Sequence, residues 1–219
     1  MKPNQQRLTT IIHNGKVITQ RGILEYGSVV TRDGKILDVL PYHQQVADAV
    51  LYDAGGNYIA PGFIDLHIHG GGGFDFMDAT GEAFRQIADI HLRHGTTAMM
   101  PTTLTSTNAA LEQVLSTYAS FVQSDTSGMH WLGMHIEGPY FALNHRGAQD
   151  PRFIRNPDKS EYSRILEQFN CISRWSVAPE LDGALEMGRV LSDKGIIASI
   201  AHTDAIYEDV VQAVQNGYS

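Results

Sequence analysis

Pro61-Gly62-Phe63-Ile64-Asp65-Leu66-His67-Ile68-His69 is the stretch on which the reading of this chain turns. A Pro-Gly turn leads into a mostly apolar run that reads as a buried strand, and Gly70 to Gly73 then give an open loop where the strand must end. Side chains two positions apart on a strand point the same way, so His67 and His69 present both imidazoles together. Neutral imidazole is a common ligand for zinc and iron, and two converging rings make half of a metal site. Composition alone can produce a His-x-His in a chain with 10 histidines; the strand and loop around this one favour ligation. The glycine run lacks the Lys-Ser/Thr of a phosphate loop and the spacing of a dinucleotide fingerprint, so it reads as a permissive loop only.

Upstream, residues 1–60 hold short β-type runs, Ile11-Ile12, Lys16 to Thr19, Ser28 to Thr31 and Ile36 to Leu40, with turns at Asn14-Gly15 and Asp33-Gly34. They predict a small, hairpin-rich N-terminal β domain. Over 61–219 the rhythm becomes that of β-α units in a parallel sheet. Strands are expected at Phe63 to His69, Thr96 to Pro101, Trp131 to Glu137, Ser173 to Ala178 and Ile196 to His202. Helices are expected at Glu82 to His94, Asn108 to Val122, Glu161 to Phe169, Ala184 to Lys194 and Tyr207 to Gln215. A closed barrel needs eight strands, so the fold class is α/β, with about five of eight units of an incomplete barrel in a chain cut inside its catalytic domain. An open five-stranded sheet is the alternative.

The 219 residues are 42% hydrophobic and 18% charged, an ordinary globular composition able to bury a large core. A formal charge of -8 without a basic stretch argues against nucleic acid as a partner. No apolar run approaches bilayer-spanning length, which argues against a membrane segment, and the single cysteine, Cys171, excludes an intramolecular disulfide and fits the cytoplasm.

In parallel β/α folds the chemistry gathers at the carboxyl ends of the strands. Here the first strand ends in His67 and His69, the third in His135-Ile136-Glu137-Gly138-Pro139, and the fifth in Ala201-His202-Thr203-Asp204. Singly, Glu137 could cap a loop and His202 could donate to a carbonyl in the core. Together, His67, His69, Glu137 and His202 form a ligand set for a divalent metal, zinc or iron, and Glu137 could bridge two ions. Such a site acidifies water to give a nucleophile near neutral pH. His135, deeper on its strand, is expected to make core hydrogen bonds, and Asp65 could orient a ligand or stabilise the strand-entry turn. His91 and His94 are read as a solvated helix face. Ser106 and Ser199 lack a base partner for a nucleophilic triad.

These motifs resemble the amidohydrolase superfamily and, within it, the N-acetylglucosamine-6-phosphate deacetylases. The likeness runs through Asn14-Gly15, Asp53-Ala54-Gly55-Gly56, Pro61 to His69, Gly95-Thr96-Thr97, Pro101-Thr102, Gly133 to Pro139, Ala178-Pro179-Glu180 and Ala201-His202-Thr203. The Glu-Gly-Pro segment discriminates, because related dihydroorotases and hydantoinases typically bridge their metals with a carboxylated lysine where this family uses a glutamate, matched by Glu137. The resemblance implies a small β-sandwich-type domain before a metal-dependent hydrolase barrel, one or two ions, and removal of acetate from N-acetylglucosamine 6-phosphate, an amino sugar phosphate, by a homodimer. It matches Glu137 and His202 to metal ligands and His67 and His69 to a pair found in members that hold a second ion. Ala148 and Gln149 fall in the substrate-contacting segment, where many relatives carry a histidine in place of Gln149. A further metal-binding histidine, the catalytic aspartate and an arginine donated across the dimer would lie beyond Ser219, so these residues alone are expected to be inactive. The alternatives are another amidohydrolase, acting on a cyclic amide or a different N-acetylated sugar, and a noncatalytic metal-binding module.

Overall fold

The computed structural model describes residues 9–41 and 48–219. They divide at Pro61/Gly62 into two compact units.

The first unit is one five-stranded sheet: β1 (Thr9–Thr19), β2 (Gly22–Arg32), β3 (Lys35–Leu40), β4 (Val50–Asp53) and β5 (Tyr58–Ile59), in the order β3-β2-β1-β4 with β5 also paired to β1. β1, β2 and β3 run antiparallel, while β4 and β5 lie parallel to β1. Asp33-Gly34 makes the β2–β3 turn, both residues with positive φ (51° and 75°), as a two-residue hairpin of this twist requires. Asn14-Gly15 is a correction. It does not reverse the chain but interrupts the register inside a continuous β1, and the β1–β2 turn falls at Gln20-Arg21. Asn14, at φ 55°, donates from Nδ2 to Asp53 Oδ1 at 2.8 Å, so the Asn-Gly pair serves as a bulge tied to β4. Val17, Val29 and Ile59 form the small core of this unit, and a sandwich's second sheet is not present among the described residues.

The second unit alternates strands and helices. The strands are β6 (Phe63–Ile68), β7 (Gly70–Gly71), β8 (Phe74–Asp75), β9 (Thr96–Pro101), β10 (His130–Trp131), β11 (Met134–Glu137), β12 (Ile172–Val177) and β13 (Ile197–Ile200). The helices are α1 (Gly81–Arg93), α2 (Asn108–Phe121), α3 (Lys159–Gln168), α4 (Ala184–Asp193) and α5 (Tyr207–Gln215). Two parallel ladders, β10-β9-β6 and β11-β12-β13, are joined by a bridge between Thr102 and His135. Helix starts are chemically marked: Thr80, Thr107 and Asp158 accept from first-turn amides of α1, α2 and α3. α1 buries Ala83, Phe84, Ile87 and Ala88, and α2 buries Leu111, Val114, Leu115, Tyr118 and Phe121, the spacing of a single helical face. Phe84, Tyr118, Phe121 and Trp131 pack as one aromatic group with ring centroids 5.5–6.2 Å apart.

Four readings of this unit are corrected. Phe63 to His69 is not buried throughout: Phe63, Ile64 and Leu66 are exposed, because β6 pairs only with β9 among the described residues. Gly70 to Gly73 is not an open loop but a miniature hairpin of β7 and β8, with Gly72 and Gly73 at positive φ. The third strand is split at Leu132-Gly133, where Gly133 (φ 91°) passes so close to Ser173 that a Cβ would lie 2.0 Å from its hydroxyl. The chain there leaves β9 as partner and takes up β12. Finally, His91 is half-buried and its Nε2 lies 3.3 Å from the Gly70 carbonyl, so it braces the glycine hairpin rather than facing solvent.

Candidate functional site

Glu137, at the end of β11, is only 4% exposed, and three imidazoles surround it. His69 Nε2 lies 3.0 Å and His67 Nε2 3.5 Å from its Oε2, while His202 Nε2 lies 3.0 Å from Oε1. The two β6-end histidines are 3.2 Å apart, Nε2 to Nε2. Each carboxylate oxygen thus has its own imidazole side.

The opposite ring nitrogens fix which atoms face inward. His69 Nδ1 is 3.1 Å from the Thr102 carbonyl and His202 Nδ1 is 2.8 Å from the His145 carbonyl. A carbonyl supplies no proton, so each Nδ1 carries one, and in the neutral ring Nε2 is left with a lone pair. Lone pairs 3.0 Å from carboxylate oxygens repel unless positive charge lies between them, either a proton that makes imidazolium or a metal cation. Burial pushes the Glu137 carboxyl up, but hydrogen bonds from His69 and His202 outweigh it and hold it down at about 2. The same Glu137 contact raises His69 above its ordinary value.

The donor set fits a divalent ion. A tetrahedral ion with bonds of about 2.0–2.2 Å separates its ligands by about 3.3–3.6 Å. The triangle of His67 Nε2, His69 Nε2 and Glu137 Oε2 has edges of 3.0, 3.2 and 3.5 Å, close to one face of such a tetrahedron. His202 stands on the other oxygen.

Backbone geometry aims these groups. His202 adopts φ 49°, a left-handed conformation uncommon for a non-glycine residue, and it is held there by Ala142 N donating to its carbonyl at 2.9 Å and by the ring contact to His145. Thr102, Thr103 and Thr105, all buried, form a turn after β9 to which both neighbouring strand ends are tied. Thr102 Oγ1 accepts from Ile68 N at 3.1 Å and its carbonyl holds His69; Thr103 Oγ1 accepts from Glu137 N at 3.2 Å; Thr105 N donates to Gln149 Oε1 at 2.7 Å. Beyond the likeness around Pro101-Thr102, the sequence signal for this turn is a cluster of hydroxyls at the carboxyl end of a strand.

Among the other residues weighed, His135 is 1% exposed, with Nε2 2.7 Å from Ser176 Oγ and its ring edge-on to His67 at 5.0 Å. Burial, with His67 beside it, pushes it down to about 3, so it stays neutral. Asp65 accepts from His67 N at 3.1 Å, a contact inside β6 and not in the strand-entry turn. Ala148 is exposed, whereas Gln149 is buried beneath it with Nε2 3.0 Å from Glu137 Oε2.

The amidohydrolase family profile matches residues 58–219, which takes in every residue of this cluster. The chain belongs to the amidohydrolase family. Amidohydrolases are metal-dependent, in agreement with the donor set. The chain is 32% identical over 218 residues to the N-acetylglucosamine-6-phosphate deacetylase of Lysinibacillus sphaericus, covering 97% of this chain and 55% of the relative. It is 28% identical over 211 residues to the N-acetylgalactosamine-6-phosphate deacetylase of Escherichia coli O157:H7, covering 96% and 55%. A solved structure of N-acetyl-D-glucosamine-6-phosphate deacetylase from Mycobacterium smegmatis, in complex with N-acetyl-D-glucosamine-6-phosphate, matches with a TM-score of 0.84 and 28% identity, over 98% of this chain and 54% of that one. This amidohydrolase chain therefore spans about half the length of the relatives it matches.

Proposed function

We propose that the whole protein is a metal-dependent hydrolase that converts N-acetylglucosamine 6-phosphate into glucosamine 6-phosphate and acetate. The observation carrying this reading is the convergence of His67, His69 and His202 on the two oxygens of Glu137 at the carboxyl edge of a parallel sheet. On this reading residues 61–219 are the N-terminal portion of a β/α barrel, with about five of its eight units, and residues 1–60 a small β-sandwich-type domain. His67, His69, Glu137 and His202 would hold one or two ions, zinc or iron. An ion there acidifies water toward neutrality and polarises the amide carbonyl.

The chain's own residues prepare that chemistry. The Thr102 and His145 carbonyls keep the Nδ1 protons of His69 and His202 in place and leave Nε2 free to ligate. Glu137 turns its two oxygens to separate imidazole sets, one toward His67 and His69 and one toward His202, as a carboxylate shared between two ions would need. His135 adds no positive charge to compete with a cation. Ala148 and Gln149 are assigned to the substrate side, Ala148 at the surface. The proposal extends to a homodimer, which the family resemblance implies, and to the cytoplasm, for which the single cysteine is the supporting sign. No helix among the described residues is long and apolar enough to cross a membrane.

The galactosamine relative supports a second reading of the sugar, with N-acetylgalactosamine 6-phosphate as substrate. Acetate release by the whole protein from both sugar phosphates, beside ring opening of a cyclic imide followed by loss of its ultraviolet absorbance, separates the readings. Turnover of the glucosamine compound in preference to the others is expected; turnover of the imide alone would overturn the deacetylase reading.

A further inference from the structure

Gln149 is 6% exposed and uses both ends of its amide. Oε1 accepts from Thr105 N at 2.7 Å, and Nε2 donates to Glu137 Oε2 at 3.0 Å. The orientation is unambiguous, because a backbone N–H only donates and a carboxylate only accepts, so a flipped amide would fail at both ends. The oxygen it touches is the one that faces His67 and His69. Its other anchor, Thr105, lies on the turn that holds His69 and the Glu137 amide. Gln149 therefore links the carboxylate to the element that fixes its histidine neighbour.

We propose that Gln149 is a positioning residue: by donating to Glu137 Oε2 from an amide anchored on Thr105, it fixes that oxygen against His67 and His69 and so sets how tightly the site retains a divalent cation. The inference rests on the metal reading above and deepens it. One lone pair of Oε2 is occupied by the amide hydrogen, which leaves a single direction for a cation and stops the carboxylate from turning about its last torsion. Donors placed behind ligating groups in this way typically matter 10- to 100-fold in metal affinity.

The test is Zn2+ affinity, measured by chelator competition on the whole protein, together with the visible spectrum of the Co2+-substituted form and the melting temperature of the metal-free form. Gln149→Met keeps the bulk and removes both hydrogen bonds; it is expected to weaken Zn2+ binding roughly 10- to 100-fold and to shift the Co2+ bands. Gln149→His, which can donate from one ring nitrogen and accept at the other, is expected to recover most of the loss. Should Q149M not fold, Gln149→Asn, one methylene too short to span Thr105 N and Glu137 Oε2, carries the same expectation. Unchanged affinity and spectrum in the variant, whether or not the metal-free protein melts earlier, would overturn the positioning role while leaving the metal reading intact. A wild-type protein that takes up neither Zn2+ nor Co2+ would overturn both.

Discussion

Thr102→Val preserves the shape of a fully buried residue and deletes one oxygen, and it is expected to lower stability by about 2 kcal/mol. Thr102 Oγ1 accepts from Ile68 N and donates to Met100 O, each at 3.1 Å. Valine leaves the Ile68 N–H beside a methyl group, and an unsatisfied buried donor costs about 1–3 kcal/mol. Met100 O loses one donor, a smaller effect because a carbonyl has two acceptor sites. In a chain of this length 1 kcal/mol moves the melting temperature by about 2–4 °C, so the fall should be about 4–8 °C. The assay is thermal unfolding of metal-free wild type, T102V and T102S followed by circular dichroism. Serine restores the hydroxyl and should recover most of the loss. If T102V melts with the wild type, Ile68 N–H has another partner and the threonine turn does not carry the β6 end.

Three other outcomes are expected. His67→Ala should lower the number of ions bound per chain, measured by elemental analysis; an unchanged count would remove His67 from the ligand set. Phe84→Ala, at the centre of the aromatic group and fully buried, should cost about 3–5 kcal/mol in urea unfolding, and a loss under about 1 kcal/mol would mean the cavity collapses. Glu161 accepts from Tyr140 Oη at 2.7 Å and pairs with Arg155 at 2.5 Å; burial pushes its carboxyl up, but Arg155 and Tyr140 outweigh burial and it lies below its ordinary value. A depressed carboxyl stabilises the fold above its unfolded value, about 4.3, and that contribution fades as the pH falls through the folded value. The advantage of wild type over Glu161→Gln in urea should therefore be full at neutral pH and shrink on acidification; a gap independent of pH would contradict the assignment.

The β/α unit was legible in the sequence because its signals are local. Thr96 to Pro101 and Tyr207 to Gln215 form where their patterns put them, since a one-faced helix states its own period and a short apolar run after a glycine marks a strand. Exposure was harder, because burial depends on neighbours: Phe63 and Ile64 are apolar, yet among the described residues their strand is paired on one side only. Asn14-Gly15 shows the limit of turn chemistry, for the left-handed conformation that suits a hairpin turn also suits a bulge, and the partner Asp53, 39 residues away, decides between them. Strand-end logic brought out His67, His69, Glu137 and His202, which the fold gathers around one carboxylate. The contacts of the threonine turn and of the Gln149 amide remained hidden, since those of the turn cross 33 to 44 residues, that of Gln149 with Glu137 crosses 12, and no period marks them.

The position of His202 has a consequence in time as well as in space. It follows Glu137 by 65 residues, whereas His67 and His69 precede it. At ribosomal rates of about 5–20 residues per second the third imidazole is made roughly 3–13 s after the carboxylate. For those seconds the nascent chain has donors for Oε2 and, within this cluster, none yet for Oε1. The two sides of the carboxylate are thus completed in a fixed order, the His67 and His69 side before the His202 side.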